Sequence, residues 1–229
     1  WEERKLFGGA IRARLPVSYE DISAIRPVPD NQEVFTDRNS DDCLIVEVLQ
    51  SVDIDPEEEE TADREGPSPP ELQGGGATAE DTTPYDREKE MEERVQRGRD
   101  AAELVFWDVA NSTESTDSHL ITMRRLRDEE APNLMEKCPC PSSWVTLWLV
   151  SGSMRISKFR GTEPPLNVLV HIFVARLPHV ESDLVMTLNM PLQRPEDSQN
   201  KYEDGMAMLL GLVKTLEVKD WDFFGGPDD

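Results

Sequence analysis

Apolar positions along the chain recur with two different periods, and a long stretch between them has almost no apolar positions. In "GAIRARLP", Gly9 to Pro16, apolar Ala10 and Leu15 alternate with Arg12 and Arg14, which predicts a short edge strand. "DISAIRP" predicts one turn that Asp21 caps and Pro27 stops. "CLIVEVL", Cys43 to Leu49, is nearly all apolar and β-branched, as a central strand covered on both sides would be. From Asp86 to about Asp108 the period becomes helical. Glu90 with Arg94 and Glu93 with Arg97 stand four apart in the favourable order, and Met91, Val95, Ala102 and Phe106 mark a buried stripe.

The second half reads as strands. "HLITMRRL" (His119 to Leu126), "WVTLWLV" (Trp144 to Val150) and "MRISKF" (Met154 to Phe159) come first, with Ser151-Gly152-Ser153 placed to turn a hairpin between the last two. "NVLVHIFVARL" (Asn167 to Leu177) and "DLVMTLNM" (Asp183 to Met190) follow, joined by "PHVES". Asn200 with Glu203 matches a capping box, after which Met206, Leu209, Leu210 and Val213 share one helical face. Strands joined in sequence by short turns form an antiparallel sheet, and helices before and after them can cover its two faces. The fold class expected is α/β in the α+β sense, with a central, mainly antiparallel sheet and helices on both sides. No internal repeat is present.

Charge changes the picture in one place. Residues 51–92 hold fifteen acids and three bases, so −12 of the total −23 lies there. The same segment contains "DIDPEEEE" and "EGPSPPELQGGG", too polar to offset the entropy of ordering, and is expected to be a largely disordered insert within a single domain spanning 1–229. A net charge of −23 argues against direct nucleic-acid or anionic-membrane binding, both of which need clustered Lys and Arg, and suits a basic protein partner. Three cysteines do not make an even disulfide framework, which points to a reducing compartment. No run reaches the length of a membrane span, and no secretory signal opens the chain at Trp1.

Enzymatic chemistry finds no foothold. Gly74 to Gly76 lack a preceding strand and a following Lys-Ser/Thr, so they are linker and not a phosphate loop. Cys138-Pro139-Cys140 is a fragment of a metal motif, but Cys43 and the dispersed His119, His171 and His179 supply no paired spacing to complete it. No serine has a nucleophile-elbow context, and the carboxylates are too many for one acid–base pair to stand out. The expectation is a non-enzymatic protein with no catalytic residues, no metal and no cofactor.

One stretch remains unexplained by patterning alone. "IRPVPDNQEVF", Ile25 to Phe35, carries four consecutive hydrogen-bonding side chains on an approach stiffened by Pro27 and Pro29. Together with "LFGGAI", "LP", "DIS" and "LIVEVL" in that order, and later "ELVFWDV", "ARLPHVESDLVMTLNMP" and "LEVKDWDFFG", the chain resembles the Ran guanine-nucleotide release factor family. Residues from Ser51 to about Glu92 and, more loosely, "APNLMEKCPCPSS" lie outside that resemblance. The resemblance implies an α/β/α sandwich similar to the photosystem protein PsbP, and a monomeric nuclear-import regulator of nucleus and cytoplasm. Such a regulator binds the GTPase Ran and promotes nucleotide release. A PsbP-like structural subunit unrelated to Ran is the alternative. It further implies that Arg26, Asp30, Asn31, Gln32 and Glu33 match a partner-binding loop and that Glu47 matches the first acidic position of the following strand. Gln50 stands where relatives tend to carry a second acid, a departure from the pattern.

Overall fold

The computed structural model describes residues 1–23, 25–51, 84–157, 165–193 and 198–225. Its regular structure is mostly antiparallel sheet with few helices. Strands β1 (Glu2–Leu6), β2 (Ile11–Leu15) and β10 (Glu217–Val218) form a small sheet in the order β1-β2-β10. The large sheet is built from β3 (Tyr19–Asp21), β4 (Gln32–Asp37), β5 (Cys43–Gln50), β6 (Asp117–Arg125), β7 (Thr146–Ile156), β8 (Leu166–Leu177) and β9 (Ser182–Leu192). Its order is β3-β4-β5-β9-β8-β7-β6, with every pairing antiparallel. Helix α1 (Pro84–Ser112) connects β5 to the far edge strand β6; α2 (Pro132–Glu136) is short, and α3 (Ser198–Val213) follows β9.

Side chains alternate across a strand, and the alternation here feeds two separate cores. On β8, Leu169, Phe173, Ala175 and Leu177 join a cluster with Leu209, Leu212 and Val213 of α3 and with Ile11, Ala13 and Leu15 of β2. Their neighbours Val168, Val170, Ile172 and Val174 join another with Ala102, Val105, Phe106 and Ala110 of α1. This double burial explains why β8 and β9 read as nearly unbroken apolar runs. Lys201 of α3 adds a polar tie, with Nζ 2.7 Å from Asp42 Oδ1 and 2.8 Å from the Pro191 carbonyl.

Several sequence expectations are corrected. The stretch Gly9 to Pro16 supplies β2, which is the middle of the small sheet and not an edge, because β10 pairs with its second side. No hairpin forms at Ser151-Gly152-Ser153, since β7 runs straight through them and both Ser151 and Gly152 are buried. Gly152 is there for packing. A Cβ at that position would come within 2.6 Å of both Phe106 Cζ and the His119 carbonyl oxygen. Ser151 Oγ instead meets His171 Nδ1 at 2.8 Å on the opposite face.

Helix α1 begins at Pro84, so residues 84–92 of the acidic segment are helical; residues 52–83 lie outside the described residues. Met91 is 44% exposed, because the buried face of α1 starts further along, at Gly98, Ala101 and Ala102. Glu90 pairs with Arg94 at 3.4 Å as expected, while Glu93 lies 3.8 Å from Lys89. Asn200 falls inside α3, which starts at Ser198, so it is not the cap; residues 194–197 lie outside the described residues. On that helix Leu212 is fully buried and Leu210 only partly so.

Candidate functional site

The "IRPVPDNQEVF" stretch is a chain of small hydrogen-bonded devices. Asp21 Oδ1 accepts the Ser23 N–H at 2.8 Å, as the sequence implies for a capped turn, and the Ile22 carbonyl accepts the N–H groups of Ile25 (2.9 Å) and Arg26 (3.1 Å). Beyond the prolines, the Gln32 N–H donates to the Pro29 carbonyl at 2.9 Å, closing a second turn with exposed Asp30 and Asn31 at its tip. Asn31 then clips the turn to β5: its carbonyl accepts the Val48 N–H at 3.0 Å, and its Nδ2 donates to the Val48 carbonyl at 3.1 Å. The asparagine, which the resemblance implies for partner binding, thus also ties the turn to β5.

Gln32 and Glu33 are the first residues of β4 and not part of the loop, so consecutive side chains point to opposite faces. Gln32 lies opposite Glu47, and its Nε2 donates to Glu47 Oε2 at 2.9 Å. Both face a groove of about 360 Å³ whose walls include Cys43 and Ile45 of β5, Val109 of α1 and Thr187 of β9. Burial pushes the Glu47 carboxyl upward from its ordinary value, offset in part by the Gln32 amide. Glu33 points the other way. Its Oε1 accepts the Phe7 N–H at 2.6 Å, and burial raises its pKa while that hydrogen bond lowers it.

Of the seven residues implied by the resemblance, Asp30, Asn31, Gln32 and Glu47 gather where β4 and β5 meet, while Gln50 lies three residues beyond Glu47 and on the other face of the strand. Gln50 is exposed at the end of β5, opposite Ser182. Arg26 is exposed on the preceding turn, and its charge partly offsets the upward push of burial on the Cys43 thiol. Glu33 does not converge with them. Sequence reasoning missed Ile25, an apolar side chain 83% exposed beside Arg26. The signal was its position between a capped turn and a proline, where no strand or helix could bury it.

Away from this region the fold assembles two clusters from distant residues. His171, buried between Ser151 and Tyr202, has its pKa lowered by burial to about 4. Cys138 and Cys140, after α2, approach His179 in the turn between β8 and β9. Sequence spacing, which expects no metal site, does not foretell this approach. The Sγ atoms are 3.1 Å apart, and Cys138 Sγ lies 3.9 Å from His179 Nε2.

Residues 4–191 match the family model described as Ran-interacting Mog1 protein. The chain is similar to the Danio rerio Ran guanine nucleotide release factor, 30% identical with 97% of this chain and 99% of that protein covered. It is also similar to the Homo sapiens Ran guanine nucleotide release factor, 30% identical over 96% of this chain and 95% of that protein. Among solved structures, the Saccharomyces cerevisiae Ran-binding protein Mog1p superposes with a TM-score of 0.59 over 98% of both chains at 17% identity, a likeness of fold. The mostly antiparallel architecture, the extent of the match and these near full-length relatives together lead to one statement: the chain belongs to the Ran-interacting Mog1 protein family.

Proposed function

We propose that this protein is a non-enzymatic regulator that binds the small GTPase Ran and promotes release of its guanine nucleotide in nuclear protein import, acting in nucleus and cytoplasm. The observation that carries the reading is the family match over residues 4–191, with release factors of the same length as relatives. The mechanism is differential binding: a partner that holds open, nucleotide-free Ran more tightly than closed Ran lowers nucleotide affinity by the same factor. The fold is read as an α/β/α sandwich of the PsbP kind, with the whole chain one Ran-binding domain and 51–92 an acidic insert within it.

The contact surface proposed is the corner where β4 meets β5. Asp30, Gln50 and Arg26 offer exposed polar side chains, and the Gln32–Glu47 pair borders the groove. Asn31 holds the tip in place through Val48, so little conformational freedom is left to lose on docking. Ile25 supplies an apolar contact next to them. Glu33 serves this surface indirectly, by fixing β4 against Phe7.

Release of a fluorescent guanine nucleotide from purified Ran tests the proposal. The wild-type chain is expected to accelerate release, and Asp30→Ala combined with Ile25→Ser to slow it at unchanged melting temperature. Release indifferent to the wild-type chain overturns the function. Release unaffected by the double variant overturns the surface.

A further inference from the structure

We propose that Cys138, Cys140 and His179 form a binding site for zinc, a thiolate–imidazole centre separate from the Ran-facing corner. Three donor atoms, one from each residue, lie within 4.8 Å of one another, and none of the three residues is fully exposed. Four-coordinate zinc with sulfur at about 2.3 Å and nitrogen at about 2.0 Å requires S···S near roughly 3.8 Å and S···N near roughly 3.6 Å. The structure holds 3.1 Å between the sulfurs and 3.9 Å from Cys138 Sγ to His179 Nε2. Side-chain rotations that part the sulfurs by about 0.7 Å and bring Cys138 Sγ about 0.3 Å nearer the imidazole close both differences.

The way the donors are presented supports the assignment. Cys138 and Cys140 are two apart, and Pro139 between them fixes its own φ, so the two thiols are held toward one side. His179 lies 41 residues away in sequence, in the turn between β8 and β9, with Trp221 against its ring at a centroid distance of 4.9 Å. Trp221 Nε1 donates to the Lys137 carbonyl at 3.1 Å, and Lys137 pairs with Glu217, so the residue before Cys138 is tied to the same C-terminal segment that backs the histidine. The 3.9 Å approach of His179 Nε2 to Cys138 Sγ stands at the long limit for a hydrogen bond to sulfur, and both cysteines also pack against the larger core. Two thiolates and one imidazole match zinc in ligand type, and three protein ligands leave the fourth position to water. Binding displaces the two thiol protons to solvent and changes no oxidation state.

The test uses the full chain, reduced and stripped of metal, titrated with zinc against a chromophoric chelator and separately with cobalt. Wild type and Cys43→Ser are expected to take up one equivalent of zinc with a rise in melting temperature, and to show a thiolate-to-cobalt charge-transfer band. Cys138→Ser, Cys140→Ser and His179→Gln should each weaken zinc by at least the roughly 10–100-fold that loss of even an outer partner costs. The Cys138→Ser/Cys140→Ser double variant, whose thiols are only partly buried, should fold yet show neither band nor thermal shift. Zinc that the wild type surrenders to the chelator, or that the double variant holds equally well, overturns the site.

Discussion

Glu33 Oε1 accepts the Phe7 N–H at 2.6 Å, so a carboxylate on β4 closes the tight turn that separates β1 from β2. That turn needs closing. Phe7, Gly8 and Gly9 all have positive φ (50°, 65° and 104°), a conformation glycine adopts freely and phenylalanine does not. Glu33→Ala removes the acceptor and leaves the Phe7 N–H unpaired, at an expected cost of about 1–3 kcal/mol. Asp30→Ala, at an exposed tip, should stay within about 0.5 kcal/mol of wild type. Urea unfolding of the two variants checks the contrast; equal stabilities would remove Glu33 from the framework of the fold.

Glu47 bears on pH. Its pKa is raised above the ordinary 4.5 by burial, so the folded state favours the protonated acid. At a pH below 4.5 both folded and unfolded chains carry it neutral, and its contribution is fully present; as pH rises through the higher native pKa, ionisation in the groove withdraws that contribution. Glu47→Gln keeps a hydrogen-bonding oxygen for Gln32 and cannot ionise. The variant should gain melting temperature relative to wild type on going from pH 4 to pH 7. A constant difference across that range would mean that Glu47 is not disfavoured as an anion.

His171 works in the opposite direction. With burial lowering its pKa from 6.5 to about 4, the fold prefers the neutral ring, and stability present above pH 6.5 is lost as pH falls toward 4. The loss is expected to be on the order of 3 kcal/mol, from about 1.4 kcal/mol per pKa unit. His171→Asn should be less stable at pH 7 and show a flatter acid limb. Chemical denaturation at stepped pH reads this directly, and parallel limbs would place the acid sensitivity elsewhere.

Gly152 offers a test of packing. A methyl group there meets the buried Phe106 ring and the His119 carbonyl, and the carbonyl, as backbone, cannot withdraw without moving β6. Gly152→Ala is expected to destabilise by about 1–3 kcal/mol, the usual range for overfilling a core. Pairing it with Phe106→Leu should restore part of the loss. Failure of the second change to compensate would show that the carbonyl contact dominates.

The elements legible in the sequence were those whose period was long and undisturbed. β8 and β9 announced themselves as apolar runs because both faces are covered, and α1 through Ala102 and Phe106 at four-residue spacing. β5 reads the same way but is covered on one face only: Leu44 and Val46 are buried, while Cys43, Ile45 and Glu47 line the groove. Ser151-Gly152-Ser153 misled because a glycine between serines has the composition of a turn, and nothing local tells that Phe106 needs the space. The candidate surface was legible as a string but not as a shape. Only the strand assignment of Gln32 and Glu33 separates them onto two faces, and only the register of β4 on β5 sets Gln32 against Glu47. The approach of His179 to Cys138 depends on two loops meeting across 41 residues, which no spacing rule reaches.

The outer strands of both sheets have a consequence for how this molecule meets others. β3 contributes three residues and β10 only two, lengths that give a visiting strand little to hydrogen-bond. β6 is longer, but its ladder slips between Leu120 and Thr122, and β1 presents Glu2, Glu3, Arg4 and Lys5 in succession. Short, irregular or charged margins are the usual defence against edge-to-edge polymerisation. A companion is therefore expected to be recognised through side chains and not by sheet extension, and the chain should resist fibrillar growth despite two strands, β8 and β9, that would be adhesive if exposed.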